Sequence, residues 1–116
     1  MKRRYRLRKN ADIQRVRQRG RSTTNRLLVL VVLPNKLNQS RFGFAVSKRI
    51  GKAVQRSKLK RQMREATRLR QKQIQAGWDI LFIARAPIAE ASYQQIETAI
   101  EALLEKAALL KPSELV

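Results

Sequence analysis

The chain has 116 residues and a formal net charge of +19, from 27 Lys and Arg against 8 Asp and Glu. Its 43% hydrophobic content suits one globular domain with a modest core and excludes disorder throughout. It has no His and no Cys, which removes histidine acid–base pairs, disulfides, thiolate chemistry and zinc knuckles, and fits a reducing, cytoplasmic setting.

The charge is unevenly placed. Of the 27 basic residues, 24 precede Asp79, whereas six of the eight acidic residues lie at Asp79 or beyond. One part of the chain is therefore built to meet negative charge, on nucleic acid or an anionic membrane. No apolar run reaches the length of a membrane span. Leu27–Leu33 follows a basic N-terminus, but Pro34 closes the run and no small-residue cleavage site follows, which argues against a signal peptide.

In chain order, residues 1–9 form a basic arm, MKRRYRLRK, expected to be flexible when free. Asn10 is placed to cap a short helix from Ala11 to about Arg19, closed by Gly20, with Ile13 and Val16 as its narrow apolar face. Arg26–Leu33 is continuous, apolar and rich in β-branched residues, so its length and the Pro34-Asn35 stop favour a strand. Arg41–Ser47 reads as a second strand in which Gly43 marks a bulge or a close approach. The two could pair as an antiparallel hairpin.

Lys48–Lys72 dominates the pattern. Eleven of its residues are Lys or Arg and only Glu65 is acidic, and from Ala53 to Gln75 no Gly or Pro interrupts a helix. At about 100° per residue, Leu59, Met63, Ala66 and Leu69 share one arc, while Arg56, Lys60, Arg61, Arg64, Arg68 and Lys72 share the other. Arg56, Lys60, Arg64 and Arg68 form an i,i+4 ladder of one sign, which costs a few tenths of a kcal/mol per pair unless an anion offsets it. Trp78–Ala84 is a third strand after the Ala76-Gly77 break. Ser92 and Gln95 form a capping box for a last helix, with Tyr93, Ile96, Ile100, Leu103, Leu104 and Ala107 as its apolar face to near Leu109. Glu97, Glu101 and Glu105 form an outer stripe, and residues 110–116 are a tail. The elements define one domain over residues 1–116, an α+β two-layer sandwich of order α-β-β-α-β-α with helices packed on one face of a small mixed sheet. If the second and third strands are parallel neighbours, the basic helix is their crossover, for which the general expectation is right-handed.

The residue inventory offers no complete protein active site. A two-metal site needs several converging carboxylates, and the basic part supplies only Asp12 and Glu65, with Asp79 opening the next strand. Ser47-Lys48 and Ser57-Lys58 are sequence neighbours, so their side chains diverge on regular structure. Gly51-Lys52 lacks the upstream Gly and following Ser or Thr of a P-loop. No catalytic and no metal-binding residue is assigned.

Residues 41–65, RFGFAVSKRIGKAVQRSKLKRQMRE, and residues 5–16, YRLRKNADIQRV, together resemble the protein subunit of bacterial ribonuclease P. The specific part is the run from Ala53 to Arg61, AVQRSKLKR, followed by Arg64. Arg6–Asn10, Asn25-Arg26, Ile80–Arg85 and Pro87 support it, so the resemblance spans residues 3–108. It implies a ribonucleoprotein endonuclease in which a catalytic RNA holds the Mg2+ ions and removes the 5′ leader of precursor tRNA. It further implies a left-handed β-α-β crossover carrying the basic helix.

By that resemblance, Lys48, Arg49, Lys52, Arg56, Ser57, Lys58, Lys60, Arg61, Arg64 and Arg68 meet the RNA subunit. Ile13, Arg17, Arg26, Val31 and Ser47 line a cleft beside the sheet for the leader. Two departures stand out. Ser57 occupies a position usually held by Asn, and so keeps a hydroxyl but loses an amide fork. Ile13, Arg17 and Val31 stand where many members have aromatics, whose stacking on a base contributes about 1–3 kcal/mol. The competing readings are another RNA binder such as a ribosomal protein or RNA chaperone, a DNA-packaging protein, and a membrane-surface protein. The last two fit poorly: no groove-reading element is visible, and the apolar face of the basic helix has no Trp or Phe.

Overall fold

A computed structural model describes residues 1–112. After a 3-10 turn at Arg3–Tyr5 come α1 (Asn10–Arg19), β1 (Arg21–Thr24), β2 (Leu28–Pro34), β3 (Arg41–Ala45), α2 (Ala53–Arg68), β4 (Trp78–Ala84) and α3 (Tyr93–Lys106), with further 3-10 turns at Gln71–Gln73 and Ala86–Glu90. The strands form one mixed sheet in the order β1-β2-β4-β3. β1 runs antiparallel to β2 and β2 antiparallel to β4, while β3 and β4 are parallel. The α+β class stands, and α2 is the crossover between the parallel pair.

The sheet explains why β2 reads as an unbroken apolar run: both of its faces are covered. Leu28, Leu30 and Val32 point to the main core with Ile80 and Phe82 of β4. Leu59 and Met63 of α2 and Ile96, Ile100, Leu103 and Leu104 of α3 close that core. The alternate residues Val31 and Leu81 meet Val16 of α1 and Leu7 of the N-terminal arm on the other face. The helices therefore do not share one face as expected: α2 and α3 cover one side of the sheet, and α1 takes the other, where Val16 packs on Val31 and Leu81.

Several local expectations change. β2 and β3 do not form a hairpin, because β4 inserts between them and supplies two fully hydrogen-bonded edges instead of one. β1 was not foreseen: Arg21–Thr24, RSTT, has no apolar signal and is an edge strand held by pairing with β2. Asn10 lies inside α1, whose cap residue Lys9 makes no side-chain capping bond. Gly20 is extended, with φ of −74°, and its role is close approach: a Cβ there would lie 2.5 Å from both the Val16 carbonyl oxygen and a Val31 methyl.

The basic helix ends at Arg68 without Gly or Pro. Arg70 closes it by donating to the Ala66 carbonyl at 2.9 Å, and Thr67 turns inward and donates to Met63 at 2.9 Å. Leu69 is 54% exposed as a result and does not join the core. The capping box of Ser92 and Gln95 forms as expected. The last helix stops at Lys106 in a Schellman motif: Leu109 N–H donates to Leu104 and Ala108 N–H to Glu105, with Ala108 left-handed at φ 59°. Beyond it, Leu110 bridges Ile74 and Lys111 N–H donates to Gln73. Residues 113–116 of the expected tail lie outside the described residues.

Candidate RNA interface

α2 carries its cations in two registers. Arg56, Lys60 and Arg64 are half-buried along one flank, and Lys52, Ser57, Lys58, Arg61 and Arg68 are exposed. The first turn of α2 holds no acidic residue and no side chain caps it. Its free N–H groups therefore add positive potential beside Lys48, Arg49 and Lys52. Ser47 and the following turn brace this end, with Arg49 N–H donating to the Ser47 hydroxyl at 3.1 Å. Arg56 donates to the Gly51 carbonyl at 2.9 Å, which fixes its stem against the turn and leaves its charge unneutralised.

The ladder is not uniformly free. Arg68 makes a two-point contact with Glu65, at 2.9 and 2.6 Å, so the one acid of the helix pairs with the ladder's last member. That hydrogen bond holds the Glu65 carboxyl below its ordinary range and raises the Arg68 guanidinium. Arg64 behaves differently: burial, and then the charge of Arg6, lower its pKa. Arg56, Lys60, Arg61 and Arg64 have no ion-pair partner among the described residues.

The carboxylates that might have built a metal site are used structurally. Asp79 is 1% exposed and receives Arg41 Nε at 2.8 Å, Arg41 Nη2 at 2.7 Å and Asn35 Nδ2 at 3.0 Å. Arg41 also reaches Asp12 at 3.5 Å, and Asp12 holds Arg15 at 2.7 Å. This clasp ties α1 to β3 and β4; the hydrogen bonds to Asp79, aided by the charges of Asp79 and Asp12, raise the Arg41 pKa against the opposing effect of burial. Among the described residues, no three acidic side chains gather where they could hold a metal ion.

The five residues assigned to a leader cleft do not share one surface. Val31 is 5% exposed and packs beneath α1 in the second core, because α1 crosses directly above it. Ile13 is partly buried on the same cluster with Val29, Leu33 and Ile83, and Arg17 is exposed on α1. Arg26 instead lines a separate cleft of about 800 Å³ with Leu27, Pro87 and the start of α3. Ser47 sits in the turn before α2. The apolar surface beside α1 is thus carried by Val29 and Ile83 rather than Val31. The alternation of β2 puts Val29 and Val31 on one face, but which of them α1 covers is settled only by the fold.

Sequence reasoning also overlooked Arg6 and Arg70. Arg70 pairs with Glu97 at 3.4 Å and Glu101 at 3.9 Å, so two of the three glutamates foreseen as an outer stripe face α2. Arg6 lies in the arm, which is docked in this structure: Arg6 bridges Phe42 in parallel, and Leu7 is 3% exposed. Gly43 makes that seat, because a Cβ there would lie 3.2 Å from the Leu7 carbonyl oxygen.

Fold and surface together define a small α+β protein that presents one cationic crossover helix beside a partly covered sheet face. The sequence model of the family Ribonuclease P matches residues 1–108. The ribonuclease P protein component of Herpetosiphon aurantiacus is 48% identical over 109 residues, covering 94% of this chain and 89% of that protein. The structure of the Staphylococcus aureus RNase P protein superposes with a TM-score of 0.87 at 39% identity, covering 92% of this chain and 98% of that one. The Thermotoga maritima RNase P protein superposes with a TM-score of 0.81 at 30% identity, covering 87% and 96% respectively. The chain belongs to the ribonuclease P protein-component family.

Proposed function

We propose that this protein is the RNA-binding subunit of a ribonuclease P ribonucleoprotein that assists a catalytic RNA in endonucleolytic removal of the 5′ leader from precursor tRNA. The observation that carries the reading is the α2 surface, where Arg56, Lys60, Arg61 and Arg64 stand without an ion-pair partner among the described residues. Four cations on one helix repel one another, and RNA phosphates offset that repulsion. Lys48, Arg49, Lys52, Ser57 and Lys58 extend the surface toward the start of α2.

The family match over residues 1–108 supports the same role. Asp12 and Asp79 are held by Arg15 and Arg41, which supports placing the cleavage chemistry and its Mg2+ ions in the RNA. The leader then follows the α1 side of the sheet near Ile13 and Arg17, held by charge and apolar contact. No helix among the described residues is long and apolar enough to cross a membrane, in keeping with a cytoplasmic ribonucleoprotein.

The test is processing of a precursor tRNA at low magnesium by a bacterial ribonuclease P RNA, with and without this protein. Correct 5′ ends that appear only with the protein support the role. Cleavage by the protein alone would place catalysis in the chain and defeat the proposal. Equal binding of unrelated RNAs without stimulation would reduce it to a general RNA binder.

A further inference from the structure

A cavity of about 540 Å³ lies at the C-terminal end of α2, where the N-terminal arm, the start of β3 and the 3-10 turn at Gln71–Gln73 close around it. Its floor is apolar: Tyr5, Phe42 and Ile74 line it, the last two only 2% and 4% exposed. Its rim is cationic, with Lys2, Arg68, Lys72 and Lys111 brought from separate stretches, and no acidic residue lines it among the described residues. Lys2 and Lys72 have no ion pair among the described residues. Asn38 and Gln71 add amide donors and acceptors to the wall. Phe44 and Phe82 stack on each other with ring centroids 6.0 Å apart, but Tyr5 stays half-buried at the cavity, with Arg4 over its ring at 4.9 Å. The arm, seated on the β3 edge where Leu7 N–H donates to the Phe42 carbonyl at 2.8 Å, carries Tyr5 there. An accessible aromatic ring beside cations is the arrangement that stacks an unpaired base and holds its phosphate.

We propose that this cavity takes one unpaired nucleotide of the RNA subunit, its base stacked on Tyr5 above Phe42 and Ile74 and its phosphate between Lys2 and Lys72. The proposal rests on the reading of α2 as the RNA-binding helix and adds a base anchor to it. Arg68 is the last member of the α2 ladder and Lys72 continues the same arc, so an RNA backbone that follows the ladder arrives at the rim. The volume suits a single small ligand, within the usual range of about 300–1,000 Å³, and shuts out a double helix. Ladder contacts to phosphate position the RNA without reading it, whereas the Asn38 and Gln71 amides meet the edge of a base.

The test is equilibrium binding of a ribonuclease P RNA across a salt series, with a 2′-hydroxyl acylation footprint of the bound RNA and melting temperatures of the free proteins. Tyr5→Leu should weaken binding by about tenfold and leave the slope of log K against log salt unchanged, because stacking is lost and charge is not. Tyr5→Phe should bind as the parent does, since the ring remains. Lys72→Gln should reduce the slope by about 0.7–0.9, the share of one phosphate. The parent protein should alter the reactivity of one unpaired nucleotide, and Tyr5→Leu should lose that change while keeping the rest of the footprint.

A Tyr5→Leu protein with parental affinity and footprint, beside a weakened Lys60→Gln, overturns the proposal and leaves the α2 reading intact. Parental binding by both Lys60→Gln and Arg64→Gln instead removes α2 from the interface, and the proposal with it. A Tyr5→Leu melting temperature low enough to account for the lost affinity makes Tyr5 structural and also overturns it. So does a footprint that Tyr5→Leu weakens evenly along the RNA. Parental RNA binding with altered sedimentation of free Tyr5→Leu would make the cavity a contact between copies of the chain, which overturns it as well.

Discussion

Asp79 offers the sharpest test of how the fold is held. Its carboxylate is 1% exposed and accepts three hydrogen bonds, two from Arg41 and one from Asn35. Asp79→Ala leaves the Arg41 guanidinium, 22% exposed, with only Asp12 at 3.5 Å. Cutting one partner from a buried pair costs about 3–5 kcal/mol, and the remaining Asp12 contact places this case near the lower end, about 3. An entropy of unfolding of about 2.1 cal/mol/K per residue gives about 0.24 kcal/mol/K for a chain of this size, so the melting temperature should fall by about 12 °C.

Urea and thermal unfolding followed by circular dichroism read the effect directly. The double variant Arg41→Met, Asp79→Leu should recover much of the loss, because no charge is left stranded. A loss below about 1 kcal/mol for the single variant would mean that the clasp behaves as a surface salt bridge, and the argument from burial would fail.

Replacing Lys60 and Arg64 together with Gln should weaken binding to the RNA subunit and lower the salt slope by about 1.4–1.8, two phosphates' share; filter binding at several salt concentrations checks it. Glu65→Gln frees Arg68 and should tighten RNA binding at neutral pH. Because pairing holds the Glu65 carboxyl below its ordinary 4.5, its contribution to stability is present above that value and lost as pH falls through the lowered one. Melting curves of parent and Glu65→Gln should therefore converge in acid. Ala108→Gly should stabilise the protein by up to about 1 kcal/mol, since φ of 59° at Ala108 costs an L residue about 1–2 kcal/mol that glycine avoids, offset by glycine's greater freedom when unfolded.

Much of the site was legible before the fold. Arg56, Lys60, Arg61 and Arg64 are spaced for one helical flank, and a single-sign ladder has few readings other than a polyanion. The RNA-binding family followed from residues 53–64 and the arm, and the match over residues 1–108 bears it out. The i,i+4 ladder presents Arg68 as a further unpaired cation, yet Glu65 three residues earlier lies within reach on the same helix face. Local spacing could have signalled that pair. Arg6 left no such trace, because nothing in MKRRYRLRK says which of its residues pairs with the edge of β3.

The sequence by itself determined the elements whose signals are local: the period of α2, the capping box of α3, the apolar runs of β2 and β4, and the cationic face that proposes an RNA partner. Tertiary structure alone decided what depends on partners distant in the chain. β4 separates β2 from β3, Arg21–Thr24 becomes a strand only through its pairing with β2, Val31 is withdrawn under α1, and Asp79 is spent on Arg41. The physical reason is the range of the forces. Helical period and capping are satisfied within a few residues, whereas sheet order, burial and ion pairing are settled by which surfaces meet after the chain has folded.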